Sequence, residues 1–181
     1  MSIGLDVSGD IELRAIIERM ERLDKPENKR KLLALIGAEV ESQTHERLRD
    51  TKESPDGSAW ESWSNGYVKR REGQHSLLMS SGDLDESIQS FVKGSNAVHV
   101  GSPLSYASVH QDGFSGIVQV PAHVRRITQA FGRALKFPVY QSVGSHTRSL
   151  NIPQRQYLGL SSDNRKELLT LIACFNQELL E

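Results

Sequence analysis

The chain has 181 residues, of which 37% are apolar and 25% charged, and its formal net charge is -1. That length suits one domain, or one domain with an arm, and it buries enough surface to form a core without disulfides. The composition excludes a membrane-spanning helix, because no run approaches 18 apolar residues; a disulfide scaffold, because Cys174 is the only cysteine; and wholesale disorder. The opening Met1-Ser-Ile-Gly-Leu-Asp6 lacks the basic and apolar regions of a secretory signal, so a reducing cytoplasm is the expected site of synthesis.

Residues 10–23 read as a helix, with Ile11, Ala15, Ile16, Met20 and Leu23 at helical spacing and Ser8 or Asp10 as its cap. Pro26 breaks it and suits the first turn of a second helix over about 27–49. Leu32, Leu35, Ile36, Val40 and Leu48 form the stripe of that helix, and His45 falls on its polar, solvated side. So short a connection predicts an antiparallel helical hairpin over residues 1–50.

Residues 50–58 are a loop by their Ser-Pro and Asp-Gly signals. Trp60 and Trp63 follow, as anchors either for a partner or for the loop itself; burial of large aromatics favours the loop. Residues 67–75 hold a short basic cluster that reads as a solvated helix end. Residues 77–101 predict a turn or short helix and then a β-hairpin, with Gly94-Ser-Asn96 as the hairpin turn. Tyr106–Gln111 suits a short helix stopped at Gly113.

Strand periodicity runs through 117–128, with Val118, Val120, Ala122 and Val124 on one side and Gln119, His123 and Arg125 on the other. Pro121 argues for an edge or a bulge. Residues 137–148 are the expected partner strand. His-x-Arg occurs in both, at His123/Arg125 and His146/Arg148, which in a hairpin sets four cation-capable side chains on one face. A final helix is predicted from about Ser162 to Leu180, capped by Ser161 or Ser162. Leu168, Leu171, Ile172, Phe175 and Leu179 are its buried stripe, and Cys174 packs beside them.

Charge is segregated along the chain. The balances are -2 for residues 1–50, -3 for 51–113, +6 for 114–155 and -2 for 156–181, and no carboxylate occurs from Gly113 to Ser162. Such a block argues for a phosphate or an acidic protein as neighbour, or for compensation of the chain's own acidic helices. The candidate partner- or DNA-facing residues are His123, Arg125, Arg126, Arg133, Lys136, His146 and Arg148.

Motifs for catalysis are missing: there is no phosphate-binding Gly loop, no GxSxG, no HExxH and no CxxC. His110-Gln-Asp112 is the best metal-like cluster, but two residues at that spacing do not converge and a zinc site needs three or four ligands. A metal-dependent hydrolase on His110 and Asp112 is the weakest of three readings. No catalytic residue, cofactor or metal is expected, and the chain does not read as an enzyme.

Several elements occur in an order that resembles the phage virion morphogenesis family, which includes tail completion proteins of contractile-tailed phages and Mu-like virion morphogenesis proteins. They are Ser54-Pro-Asp-Gly-Ser-Ala-Trp60; Leu78-Met-Ser-Ser-Gly-Asp-Leu-Asp-Glu-Ser-Ile88; Val98-His-Val-Gly-Ser102 with Tyr106-Ala-Ser-Val-His-Gln-Asp-Gly113; Val120-Pro-Ala-His-Val-Arg-Arg126 with Gln129-Ala-Phe-Gly-Arg133; and Ile152-Pro-Gln-Arg-Gln-Tyr-Leu-Gly-Leu-Ser161. The closing motif departs from the usual IPARPFLG at Gln154, Gln156 and Tyr157. The resemblance covers about residues 51–170.

It implies an α+β fold, with an N-terminal helical hairpin (1–50) and a C-terminal helix packed on a small antiparallel sheet. The core would span 51–181 and include a long basic β-hairpin arm over 114–155. It also implies a structural late phage protein of the virion tail or neck, made in the host cytoplasm. Such a protein completes the structure so that head and tail join. It is expected to act as a homo-oligomeric, hexameric ring around the DNA channel, with other virion proteins as partners and no membrane. The alternative is a sequence-nonspecific nucleic-acid binder using the arm, whose affinity falls steeply with salt.

Overall fold

The computed structural model describes residues 10–69, 75–130 and 133–180, without the side chains of 10–13, 15–16 and 180. The fold is α+β. Helix α1 (Asp10–Asp24) and helix α2 (Pro26–Glu46) are separated by Lys25 alone, and Pro26 opens α2, where a missing N–H costs nothing. Helix α6 (Ser162–Leu180) packs against both. Arg22 near the end of α1 donates to the Leu179 carbonyl (3.4 Å), whereas Gln43 near the end of α2 donates to Glu167 in the first turns of α6 (2.7 Å). Helices α2 and α6 therefore run antiparallel. Ser161 caps α6, its hydroxyl accepting from the Asn164 N–H at 3.1 Å.

The opposite side of α2 packs on the hairpin formed by β1 (Gln89–Lys93) and β2 (Ala97–Gly101), which pair antiparallel from Gln89↔Gly101 to Lys93↔Ala97. Gly37 makes this approach possible. A Cβ there would lie 2.7 Å from Val98 Cγ2 and 3.0 Å from Ser90 Cβ. Glu41, one turn on, accepts from the Ser90 N–H at 2.8 Å, which ties the start of the hairpin to the helix.

The core lies beyond the end of α2. Leu48, Trp60, Leu84, Ile88, Ala107 and Tyr157 are buried together, with Leu77, Leu78, Met79, Val100, Leu104 and Leu158 packed on them. The short helices α3 (Asn65–Val68), α4 (Asp83–Glu86) and α5 (Ala107–Asp112) lie on the segments around this cluster. The last turn of the second helix widens into a π turn over Arg47–Thr51, which ends at Lys52 in the left-handed region (φ 56°). Lys52 then donates to the Leu48 and Leu77 carbonyls and closes the core's edge.

Four sequence expectations are corrected here. Met20 is 65% exposed and Leu35 44%, so both stand outside the buried stripes to which their spacing assigned them. Cys174 is exposed instead of packed. His45 is half-buried and bonded to a buried carboxylate from a distant segment. For Met20, Leu35 and Cys174 the reason is shared, since each helix meets its neighbours along a narrow seam whose width periodicity overstates; His45 is drawn inward by Asp85, which local spacing does not report. The stripe positions Ile11, Ala15 and Ile16, the capping Ser8, and residues 70–74 of the basic cluster lie outside what the structure describes.

Candidate interaction surface: the basic β arm

Between α5 and the closing segment the chain forms one long antiparallel ribbon in two stages. The root pairs β3 (Phe114–Val120) with β6 (His146–Ile152), from Phe114↔Ile152 to Val120↔His146. The outer stage pairs β4 (His123–Ala130) with β5 (Arg133–Val143), from His123↔Val143 to Ala130↔Arg133. Seventeen residues of extended chain from Phe114 to Ala130 span about 55 Å. The stages meet where Pro121-Ala122 faces Gly144-Ser145, and each following histidine bonds back across that break. His123 Nδ1 lies 3.0 Å from the Pro121 carbonyl, and His146 Nδ1 lies 3.0 Å from that of Gly144. Pro121 thus falls at the interruption its missing N–H requires. A bulge follows in β5: Thr128 alone lies between the paired positions Ile127 and Gln129, against Leu135 to Pro138 on the other strand.

The register keeps the two His-x-Arg motifs in separate ladders. His123 and Arg125 stand opposite Val143 and Gln141, whereas His146 and Arg148 stand opposite Val120 and Val118. A continuous four-residue cationic row across the hairpin is therefore not formed by direct pairing. Arg125 donates to the Gln141 side chain at 2.9 Å, Arg126 stands opposite Tyr140, and Lys136 Nζ lies 5.9 Å from the Phe137 ring centre. Arg126, Arg133 and Arg148 are exposed. The sixth base of the acid-free block, Arg155, is buried. Its guanidinium donates to the Glu61 carbonyl through Nε (3.0 Å) and Nη2 (2.8 Å).

Neither β4 nor β5 packs substantially on any element but the other. Large apolar side chains are left in solvent along the arm: Ile117, Val124, Phe137 (70% exposed), Val139 and Tyr140 (67%). A two-stranded ribbon with both faces wet is marginal on its own.

The arm's root is held by the motifs that sequence reading had singled out. Gln111 of α5 accepts from the N–H groups of Tyr157 and Leu158 (3.1 and 3.0 Å) and donates to the Leu158 carbonyl (3.1 Å). Tyr157, at 1% exposure, donates its hydroxyl to the Ala107 carbonyl at 3.1 Å; burial pushes its pKa up to about 12. Trp60 is buried and its indole N–H reaches the Gln156 carbonyl at 3.2 Å. Trp63 is half-buried, with its ring 6.0 Å from that of Tyr67. Arg47 donates to the carbonyls of Tyr157 (2.7 Å) and Gly159 (3.2 Å) and to Asn164 (2.7 Å). Apart from the 120–133 element, which lies in the arm, the ordered motifs thus meet as one clamp on the closing segment.

His110 lies edge-on to Tyr106 with its Nδ1 buried, and burial together with the nearby Arg155 lowers its pKa. Among the described residues no group of three or more side chains converges as a metal site.

Two clefts flank the end of α2. One, of about 400 Å³, is lined by Glu41, Ser42, His45 and Arg49. Asp85, with its side chain 5% exposed, binds His45 Nδ1 (2.8 Å) and Arg49 Nη2 (2.7 Å). Sequence reading missed this ion pair, because its partners are 36 and 40 residues apart. Burial disfavours the Asp85 carboxylate, but the hydrogen bonds and charges of His45 and Arg49 together outweigh it and hold its pKa below the ordinary value. The unfolded chain takes up that proton near pH 4 and the folded chain only lower. Stability from this site is therefore present above about pH 4 and lost as pH falls further. Asp85→Asn is expected to cost about 2 kcal/mol at pH 7 and much less at pH 3, as read from urea titrations at the two pH values.

The model of the phage virion morphogenesis family matches residues 11–174. The chain belongs to the phage virion morphogenesis family. It is similar to the putative capsid assembly protein G of Escherichia phage Mu, with 27% identity over 115 residues; the match covers 61% of this chain and 73% of that one. No solved structure matches. The role of the chain accordingly lies in phage virion morphogenesis. Among the described residues no helix is long and apolar enough to cross a membrane.

Proposed function

We propose that this protein is a structural late component that completes the phage tail or neck, so that heads and tails join, and that it works as a ring subunit around the DNA channel. The observation that carries the reading is the arm: a ribbon of about 55 Å whose outer stage packs substantially on no other element of its own chain and leaves Val124, Phe137, Val139 and Tyr140 exposed. Such an element contributes little to the stability of one copy and gains its partner in an assembly. The family and the Mu relative support a structural role over an enzymatic one.

Deleting the gene and imaging lysates by negative-stain electron microscopy tests this. Full heads beside complete but unattached tails are expected. Normally joined particles would remove the proposal.

A second reading rests on the exposed Arg125, Arg126, Arg133, Lys136 and Arg148 of an acid-free segment. Sequence-neutral contact with phosphates needs no more than such side chains. An anisotropy titration of duplex DNA at low salt is the check, and absence of binding would exclude it.

A further inference from the structure

The second cleft at the end of α2, of about 420 Å³, is lined by Gln43, Glu46, Glu53, Asp56, Asp163 and Glu167 among others. Its carboxylates come from three separate parts of the chain. Arg47 also lines it, but its guanidinium is held by the Tyr157 and Gly159 carbonyls and by Asn164. Asp163 binds Lys166 at 2.7 Å. Gln43 is buried, and its amide nitrogen donates to Glu39 (3.0 Å) and Glu167 (2.7 Å), which fixes the amide's orientation. Its Oε1 is buried and accepts no hydrogen bond. A buried acceptor left without a donor costs about 1–3 kcal/mol, and a cationic donor entering the cleft would remove that cost.

The chain owns such a donor set, but out of its own reach. The arm holds Arg125, Arg126, Arg133 and Lys136 on its outer stage, beyond its root, where β4 and β5 pack substantially on no element but each other. The cleft takes in Ser161–Asn164, which begins only nine residues beyond the end of β6. Neither β4 nor β5 packs substantially on any other element, so the outer stage does not fill the cleft of its own chain. We propose that the outer stage of the arm, β4–β5, docks in the acidic cleft of a second copy of this chain.

The arm's chemistry selects this occupant over DNA. Phosphates would satisfy the guanidiniums and leave Val124, Phe137, Val139 and Tyr140 in water, whereas carboxylates from three parts of a second copy meet the cations in the cleft and the protein surface around it is there for the apolar side chains. The charge balance points the same way, because the segments outside the arm sum to -7 and the acid-free segment carries +6. Arm and cleft are different surfaces, so the contact is head-to-tail and repeats from copy to copy, closing into a ring or continuing as a filament. The inference extends the ring-subunit reading by naming its two mating surfaces.

The test uses the purified full chain and reads molar mass by light scattering at 50 and 500 mM salt. The native chain is expected to self-associate, at least tenfold more weakly at the higher salt. The arm variant Arg125→Gln/Arg126→Gln/Lys136→Gln and the cleft variant Glu53→Gln/Asp56→Asn/Glu167→Gln, which keeps the acceptors of Ser58 and Gln43, are each expected to be monomeric, with thermal unfolding transitions like the native one. Mixed together, they are expected to form a one-to-one dimer, because one sound arm then meets one sound cleft.

The proposal is overturned by a monomeric native chain, by association that either variant leaves intact, or by failure of two folded variants to pair. It is also overturned if the arm variant loses duplex DNA binding while its self-association is unchanged. The outcome is separable from the virion role. Joined particles after gene deletion with arm-to-cleft association in solution defeat the role alone, and unjoined particles with no such association defeat this contact alone.

Discussion

Replacing Tyr157 by alanine is expected to destabilise the protein by about 3–5 kcal/mol, the range for removing a large aromatic from a core. The side chain is 1% exposed, sits among Leu48, Trp60, Leu84, Ile88 and Ala107, and donates its hydroxyl to the Ala107 carbonyl. For a chain of this size each kcal/mol lowers the melting temperature by about 2–4 °C, so a drop of about 10 °C or more is expected by calorimetry. Tyr157→Phe keeps the packing and removes only the hydroxyl, and should cost about 1 kcal/mol. Equal losses in the two variants would show that the hydrogen bond, not the ring, holds the closing segment. The raised pKa adds an alkaline signature. The unfolded tyrosine ionises near pH 10 and the folded one near 12, so stability is full below about pH 10 and falls between those values. Tyr157→Phe removes that alkaline limb.

The second large effect is expected at Arg47. Burial lowers its pKa, against an opposing contribution from Glu46, and its guanidinium serves two main-chain carbonyls and the side chain of Asn164. Arg47→Met preserves much of the packing volume but leaves the Tyr157 and Gly159 carbonyls without this donor. Hydrogen bonds to a charged group contribute about 1.5–3 kcal/mol each, so a loss of about 3 kcal/mol is expected in urea unfolding. Because Arg47 and Tyr157 share the closing segment, the double variant Arg47→Met/Tyr157→Ala should cost less than the two losses added, by about 1 kcal/mol. Strict additivity would show that the clamp is two independent contacts. Limited proteolysis gives a second readout: release of residues 154–161 loosens the root of the arm, and cleavage near Gln154 should appear in either variant before global unfolding.

Much of the architecture was legible from residue order, for local reasons. Pro26 at the start of α2, Ser161 before α6 and Gly94-Ser-Asn96 between β1 and β2 are short-range signals whose geometry is fixed within a few residues. Alternation through 117–128 read as a strand because both faces of a free ribbon follow the same period. The acid-free block needed only counting. The ordered motifs from Ser54 to Ser161 were visible as a set, but their purpose was not: all but the 120–133 element of the arm meet in the clamp around Tyr157, through contacts such as Gln111 with Leu158 and Trp60 with Gln156, which no local pattern reports.

The candidate site divided along the same line. Sequence by itself determined that the arm is basic, extended and punctuated at Pro121, because charge, period and a missing N–H are properties of consecutive residues. Tertiary structure alone decided that the two His-x-Arg motifs stand in separate ladders, that Arg155 turns inward to Glu61, and that His45 and Arg49 close on Asp85. It alone assembled the acidic cleft from α2, the 53–57 loop and the start of α6. Each of these depends on register or on packing between segments tens of residues apart, and a one-residue change in register or a modest rotation of a helix would have given the same sequence different neighbours.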